Sequence, residues 1–223
     1  MILFILLGFL LSVHWFCFFR SIQISTVAVG LLSYSSFPLF TALLEPLFFK
    51  EKIEADKIFF SVVCFGGILL IIPRISMSNS IFQGVVWGLL AGLSFSVLSI
   101  INRRLTQNHS SLLISFYLNV TAVVFLIPFL FIIPTFFNTR DILLLAFLGV
   151  FCTALAHTLF INGIKWISVR TASIISTLEP VYGIMIAMIL LKEIPSLRTI
   201  VGGLIILGTA STVSLKSAGR SSH

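Results

Sequence analysis

The spacing of its charges limits most strongly what this chain can fold into. Its fourteen Lys and Arg and seven Asp and Glu fall mostly in short clusters. Between the clusters lie eight apolar stretches: Ile2–Phe19, Val27–Phe49, Ile58–Ile72, Phe82–Ile101, Leu112–Ile133, Ile142–Ile161, Thr171–Leu191 and Ile200–Val213. A helix needs about 20 apolar residues to cross the hydrocarbon of a bilayer. In lipid the backbone must also satisfy its own hydrogen bonds, which leaves only helices and closed barrels. Barrel strands alternate apolar and polar residues over about ten positions, and these stretches do not. The expected fold class is therefore all-α, a polytopic transmembrane bundle of about 8 helices.

Composition separates this reading from a soluble bundle. Hydrophobic residues make up 58% of the chain, charged residues 9%, and the mean hydropathy is +1.16, whereas a soluble domain carries about a quarter charged residues. The opening MILFILLGFLLSVHWFCFFR has no basic n-region and no small-residue cleavage site before Arg20, so it reads as a retained helix rather than a secretory signal. Cys17, Cys64 and Cys152 lie in different apolar stretches without metal-ligand spacing. They are expected to be buried thiols, with no disulfide, metal or cofactor. HExxH, P-loop and GxSxG motifs are missing from the sequence, which disfavours a membrane enzyme and an ATP-driven pump.

Orientation follows from the basic residues. With a cytoplasmic N-terminus, the inside loops and tail hold Lys50, Lys52, Lys57, Arg103, Arg104, Lys165, Arg170, Lys216 and Arg220. The outside loops hold Arg20, Arg74, Arg140, Lys192 and Arg198. Nine against five favours a multi-pass protein of the cell (plasma or inner) membrane with both termini cytoplasmic. The net charge of +7 then reports on topology and anionic membrane lipid. No nucleic-acid partner is expected, because no soluble basic stripe is interleaved with aromatics.

Shifting the chain by 142 residues lays YSSFPLFTALLEPLFFKEK (Tyr34–Lys52) over STLEPVYGIMIAMILLKEI (Ser176–Ile194). Pro38 falls on Pro180, Lys50-Glu51 on Lys192-Glu193, Gly66 on Gly208 and Ile22 on Ile164. The first three stretches thus superimpose on the last three, as after a duplication. One Lys-Glu loop is placed inside and the other outside, so the two units have opposite orientation. Inverted repeats are the architecture of many secondary transporters.

The segments PLFTALLEPLFFKEKI with GGILLI (Gly66–Ile71), LEPVYGIMIAMILLKEIPSLRTIVGGLIILGT (Leu178–Thr209) and LSIINRRL (Leu98–Leu105) resemble the EamA-type transporters of the drug/metabolite transporter superfamily. The resemblance covers nearly the whole chain. It implies a secondary carrier or exporter of small metabolites or drug-like solutes, working by alternating access. It also implies a partial first repeat of three helices at 1–73, a second repeat of five helices at 82–215, and a short polar tail at 216–223, expected to be disordered. Family members have ten helices, and Met1 falls at the start of the third. That implies an N-terminally shortened product, a misassigned start or a shorter homologue. The alternatives are a truncated, non-transporting membrane subunit or remnant and, more distantly, a membrane-embedded lipid-modifying enzyme. The expected partners are a small-molecule substrate and membrane lipid, with a homodimer left open.

Glu179 heads an otherwise apolar run. A carboxylate within a span costs about 2.5–3.5 kcal/mol, so it normally faces protein or a water-filled cavity. In one reading Glu179 lines the pathway and holds a cationic group or a proton, while Pro180 bends the helix. In the other, Glu179 snorkels or caps near Arg170, with Pro180 at an early helical position where it is tolerated. Tyr34, Pro38, Thr41 and Glu45 are spaced by four, three and four residues, which places them on one face. Glu45 is near enough in sequence to Lys50 for an interfacial ion pair. Ser115, Asn119, His157 and Asn162 suit interhelical hydrogen bonds. His14-Trp15 occupies the repeat position of Ala156-His157, which adds Trp15 and His157 to the pathway candidates. These are then Glu179, Pro180, Pro38, Tyr34, Thr41, His157 and Trp15, with the helices of Pro38 and Pro180 kinked around a central cavity. Gly84, Gly88 and Gly92 form a smooth stripe for close helix packing.

Overall fold

The computed structural model describes residues 2–49, 55–132, 137–166 and 178–219. Among the described residues the regular elements are all helical: α1 (Ile2–Ile24), α2 (Val27–Tyr34), α3 (Phe37–Phe49), α4 (Ala55–Ile71), α5 (Ser80–Leu105), α6 (Ser111–Ile132), α7 (Thr139–Phe147), a π-helical stretch (Leu148–Leu155) running into α8 (Ala156–Trp166), α9 (Glu179–Leu190) and α10 (Leu197–Gly219). With α2 and α3 taken as one crossing, and α7 to α8 as another, these are the eight helices of a polytopic bundle. Five are long and apolar enough to cross a membrane, while Ile58–Ile71, Glu179–Leu190 and Leu197–Thr212 are shorter apolar helices.

The helices begin where a short polar side chain can accept the first free N–H groups. Thr26 accepts from Val29 N–H at 3.2 Å, Asn79 from Phe82 at 3.0 Å, Ser110 from Leu113 at 3.2 Å and Ser196 from Thr199 at 3.2 Å. Asn138 and Asp141 complete a reciprocal capping box at the start of α7. Several ends differ from the sequence expectation, α5 for one running on to Leu105, past Ile101. Helix α1 runs on to Ile24, past Phe19, until the Thr26 cap starts the next helix. Helix α10 continues through Gly219, so the polar tail is helical as far as that residue. An established helix extends into water at little cost, since Ser, Lys and Ala are adequate helix formers.

One boundary recurs at the offset found in the sequence: α3 and α9 start at Phe37 and Glu179, 142 residues apart.

The chain divides into two compact units. The first comprises Met1–Ser12 and Leu98–Ser168. Within it α1 crosses α6 at Gly8, where a Cβ would overlap the Thr121 side chain and lie 2.8 Å from Ala122 N. The Ser12 hydroxyl donates to the Ala122 carbonyl at 3.1 Å and that of Thr121 to the Phe4 carbonyl at 3.2 Å. Leu7, Leu11, Ile114, Leu118 and Ala122 are buried. The π-helical stretch and the helices flanking it present Ile142, Leu144, Phe147, Phe151 and Leu155 outward. Cys152 lies on this surface and is exposed, against the expectation of a buried thiol, whereas Cys17 and Cys64 are buried. Hydropathy scores an apolar helix alike whether its neighbours are protein or lipid.

The second unit comprises Val13–Val97 and Val169–His223. Its core gathers Val29, Leu32, Leu39, Ile68, Ile71, Val85 and Ile206. The two Gly-Gly pairs meet: a Cβ on Gly202 would lie 2.6 Å from the Gly67 carbonyl, so α4 and α10 cross with their backbones nearly in contact. The stripe on α5 is used in the same way. A Cβ on Gly88 would lie 2.5 Å from Ser33 Cβ, one on Gly92 would lie 3.0 Å from the Tyr34 carbonyl, and one on Gly84 would overlap the Ser25 side chain. Helix α2 and the turn before it therefore lie directly on α5.

Candidate functional site

The second unit contains a broken helix. Helix α2 ends at Tyr34 and α3 begins at Phe37, with Ser35 and Ser36 between them. The Ser35 hydroxyl donates to the Leu31 carbonyl at 2.7 Å and the Ser36 hydroxyl to the Ser33 carbonyl at 2.7 Å. Serine side chains thus take up carbonyls at the end of α2, and Pro38 brings no N–H for the Tyr34 carbonyl one turn earlier. Pro38 lies in the first turn of α3, where helical N–H groups have no intrahelical partner and a proline loses nothing. It sits at a helix start rather than kinking a continuous helix. Pro38→Ala is accordingly expected to shift stability by less than about 1 kcal/mol, measured as a melting temperature in detergent. A drop equivalent to the roughly 3 kcal/mol of an interior proline effect would contradict that placement.

Around the break Tyr34 is buried in an aromatic cluster. Its ring stacks on Phe37 at 5.3 Å and meets Phe18 at 5.4 Å, Phe95 at 5.6 Å and His14 at 5.3 Å. His14 is only 7% exposed, and its Nδ1 lies 3.0 Å from the Ala91 carbonyl. A carbonyl can only accept, so Nδ1 carries a proton. Thr41 donates its one hydroxyl proton to the Phe37 carbonyl at 2.9 Å, which makes Ser96 the donor in the 2.9 Å bond between the Thr41 and Ser96 hydroxyls. Tyr34 and Thr41 are therefore both held against α5, by the successive residues Phe95 and Ser96.

Glu179 is the first residue of α9, with Pro180 behind it and buried. The Glu179 side chain is exposed, and its carboxylate lies within electrostatic reach of Tyr34. Helix α9 packs on α2 where a Cβ on Gly183 would overlap Leu31. A carboxylate at the head of a helix packed on this half-helix attracts cations through its charge.

Four of the residues singled out from the sequence, Tyr34, Pro38, Thr41 and Glu179, thus gather around the break, with Pro180 supporting the last. The helical spacing that placed Tyr34 on the face of Thr41 assumed an unbroken helix, and Ser35–Ser36 interrupts it. The Glu45 side chain, Lys50 and Arg170 lie outside the described residues, so neither expected ion-pair partner is placed. Trp15 is half-buried on α1, and its neighbour His14 is the residue that enters the cluster. His157 belongs to the first unit. There the adjacent Thr158 shares a hydrogen bond of 2.9 Å with Ser115, and Asn119 donates to the Ser115 carbonyl at 2.8 Å. The Thr158 bond joins α8 to α6, whereas the Asn119 bond stays within α6. Sequence reasoning did not single out Ser35, Ser36, Phe95, Ser96 or Thr158. The available signal was a run of serines just before a proline, inside an otherwise apolar stretch.

Comparison with known proteins agrees with this architecture. The model of the EamA-like transporter family matches residues 1–72 and 82–215. An uncharacterized transporter of Bacillus subtilis (strain 168) is 24% identical over 218 residues, covering 96% of this chain and 70% of that protein. An S-adenosylmethionine uptake transporter of Rickettsia bellii (strain RML369-C) is 25% identical over 207 residues, 91% of this chain and 69% of the other. A solved crystal structure superposes with a TM-score of 0.64 at 19% identity, covering 97% of this chain and 76% of that one, which shows the shared fold.

Proposed function

The chain belongs to the EamA-like transporter family, and from that premise we propose that it carries a small solute with a cationic group across the cell membrane by alternating access, with Glu179 as the charge contact. A membrane transporter of small solutes needs a place where a polar ligand replaces its hydration inside the bilayer. The observation that carries the reading is the position of Glu179 at the head of α9, which packs on the half-helix α2 that ends at Tyr34. Broken helices near the midplane are where secondary transporters place their ligands. Residues 1–73, as a partial first repeat, and 82–215 are read as inverted repeats, supported by the starts of α3 and α9, 142 residues apart.

S-adenosylmethionine is the first ligand to test, since one relative is named for its uptake and its sulfonium is a cation that a carboxylate and aromatic rings would hold. The assay is uptake of the labelled compound into vesicles reconstituted with the purified protein, run beside a panel of amines and neutral metabolites. Saturable uptake of at least one cationic compound is the expected outcome. Uptake restricted to neutral or anionic solutes would overturn the charge assignment.

We read both termini as cytoplasmic, from the bias of basic residues. Alternation of the crossings is supported within the second unit, where the residues before α2, the start of α5 and the loop after α9 share one end: Ser25 packs at Gly84, and Glu193 bonds Val27. In a background with Cys152 replaced, Arg140→Cys is expected to react with an impermeant maleimide added to intact cells, and Arg104→Cys to react only after the cells are opened. The reverse pattern would invert the topology.

A further inference from the structure

The Lys192-Glu193 pair, which marks the repeat, has a structural use separate from the site at Tyr34. Helix α9 ends at Leu190, and Lys192 takes the left-handed conformation with φ 56°. A side chain with a Cβ adopts that conformation at a cost, and glycine is the usual occupant. The turn aims the next residue back across the unit. The half-buried Glu193 accepts the Val27 N–H on Oε2 at 3.0 Å, while its own N–H lies 3.4 Å from the Ala187 carbonyl. Val27 is the first residue of α2, so a carboxylate 166 residues away in sequence supplies one N-terminal acceptor of that half-helix and Thr26 supplies another. Beneath this contact Thr26, Ala28, Ile184, Ala187, Glu193, Ile194 and Pro195 enclose about 20 Å³, room for one water and no solute.

We propose that the bond between Glu193 and Val27 is a latch that holds shut the end of the candidate site at which α2 begins, the outer end in the topology above. Helix α2 carries Tyr34 at its far end and packs against α9, whose first residue is Glu179. Separating α2 from α9 at this end opens a way toward both residues, and it cannot occur while the carboxylate bridges them. A charge-assisted bond to a helix N-terminus suits a latch, because it is strong enough to bias two states and is a single contact to break. Glu193 acts here through α2, as a positioning residue for the closed state. The latch rests on the transport reading only for its purpose; its existence is tested without transport.

The test places a cysteine at Ala28, which is 4% exposed and lines the closed space. Cys17 and Cys152 are replaced, and Cys64, 1% exposed on α4, stays as an internal control. The rate of labelling by an impermeant maleimide is followed for the full chain in proteoliposomes. Glu193→Ala is expected to label at position 28 about tenfold faster, the population shift that follows from losing one charge-assisted hydrogen bond. Glu193→Gln, which keeps an acceptor oxygen, should fall between it and the parent. Labelling of Cys64 should not change in either variant, whereas a general loosening of the fold would speed it equally. Unchanged labelling at position 28 in Glu193→Ala overturns the latch, as does acceleration shared with Cys64. If Glu193→Ala does not accumulate, Glu193→Gln decides by the same two criteria. Faster labelling in a protein that moves no solute would leave the latch standing and remove the transport reading; solute flux with unchanged labelling would do the opposite.

Discussion

Glu179→Gln is expected to lower the uptake of a cationic solute by roughly ten- to a hundredfold near neutral pH and to flatten its pH profile. A contact with an ionised group contributes about 1.5–3 kcal/mol, and each 1.4 kcal/mol is a factor of ten. The sign follows from the chemistry. In the parent, acidification protonates the carboxyl and removes its attraction for a cation, so uptake falls as the pH drops through its titration. Glutamine has no proton to gain, and its lower uptake should be level over the same range. Abundance should hardly change, because the amide has a similar shape and is cheaper to keep in a membrane. The exposed position in the first turn of α9 puts at risk only the helix-dipole gain of about 0.3–1 kcal/mol. Uptake into vesicles followed from about pH 4, the usual carboxylate range, up to neutral pH reads both effects. An active glutamine variant with the parent's rate and profile would reduce Glu179 to a helix-end charge.

The second large effect is structural. Gly88→Leu should abolish accumulation of folded protein, and Gly88→Ala should destabilise it by about 1–3 kcal/mol, the usual cost of overpacking. A new Cβ there would lie 2.5 Å from Ser33 Cβ and 3.4 Å from the Gly30 carbonyl. Neither atom belongs to the far end of a flexible side chain, so α2 would have to lift from α5 and take Tyr34 with it. Gly66→Ala and Gly208→Ala are the controls, since nothing lies within 4 Å of a Cβ at either site. There alanine should be neutral or stabilising by up to about 1 kcal/mol, through its better helix propensity. Melting temperatures in detergent compare the three alanine variants. A Gly88→Ala variant as stable as the Gly66 and Gly208 variants would mean that α2 and α5 do not pack as closely as described.

Much of the site could be read from the chain, but not its organisation. The stretch SYSSFP contained both causes of the helix break, the serine hydroxyls and the proline. Hydropathy nevertheless reads Val27–Phe49 as a single run, because it scores side chains and ignores which carbonyls have lost their donors. His14 was visible as a polar residue in an apolar helix, yet its meaning depends on the Ala91 carbonyl, 77 residues away. Cys152 and Cys64 lie in equally apolar surroundings along the chain, and only the packing of neighbouring helices separates the exposed thiol from the buried one. The Lys192-Glu193 pair stood out as a repeated motif, but nothing local to it indicates that Glu193 reaches the start of α2.

The sequence by itself determined the helical class, the eight helices and roughly where most of them start. Each of these rests on a local cause: apolar length against bilayer thickness, or a capping side chain within one turn. The glycine stripe was legible for the same reason, since a period of four residues defines a face without reference to a partner. Only the tertiary structure decided that Ser33 fills the notch at Gly88, that Tyr34 meets His14 and Phe95, that Glu179 comes within reach of Tyr34, and that Glu193 caps α2. These pairings join residues 55 or more positions apart, or else, like Tyr34 with His14, sit on different helices. A side chain at such a distance in sequence finds its partner through helix packing, which no local pattern encodes.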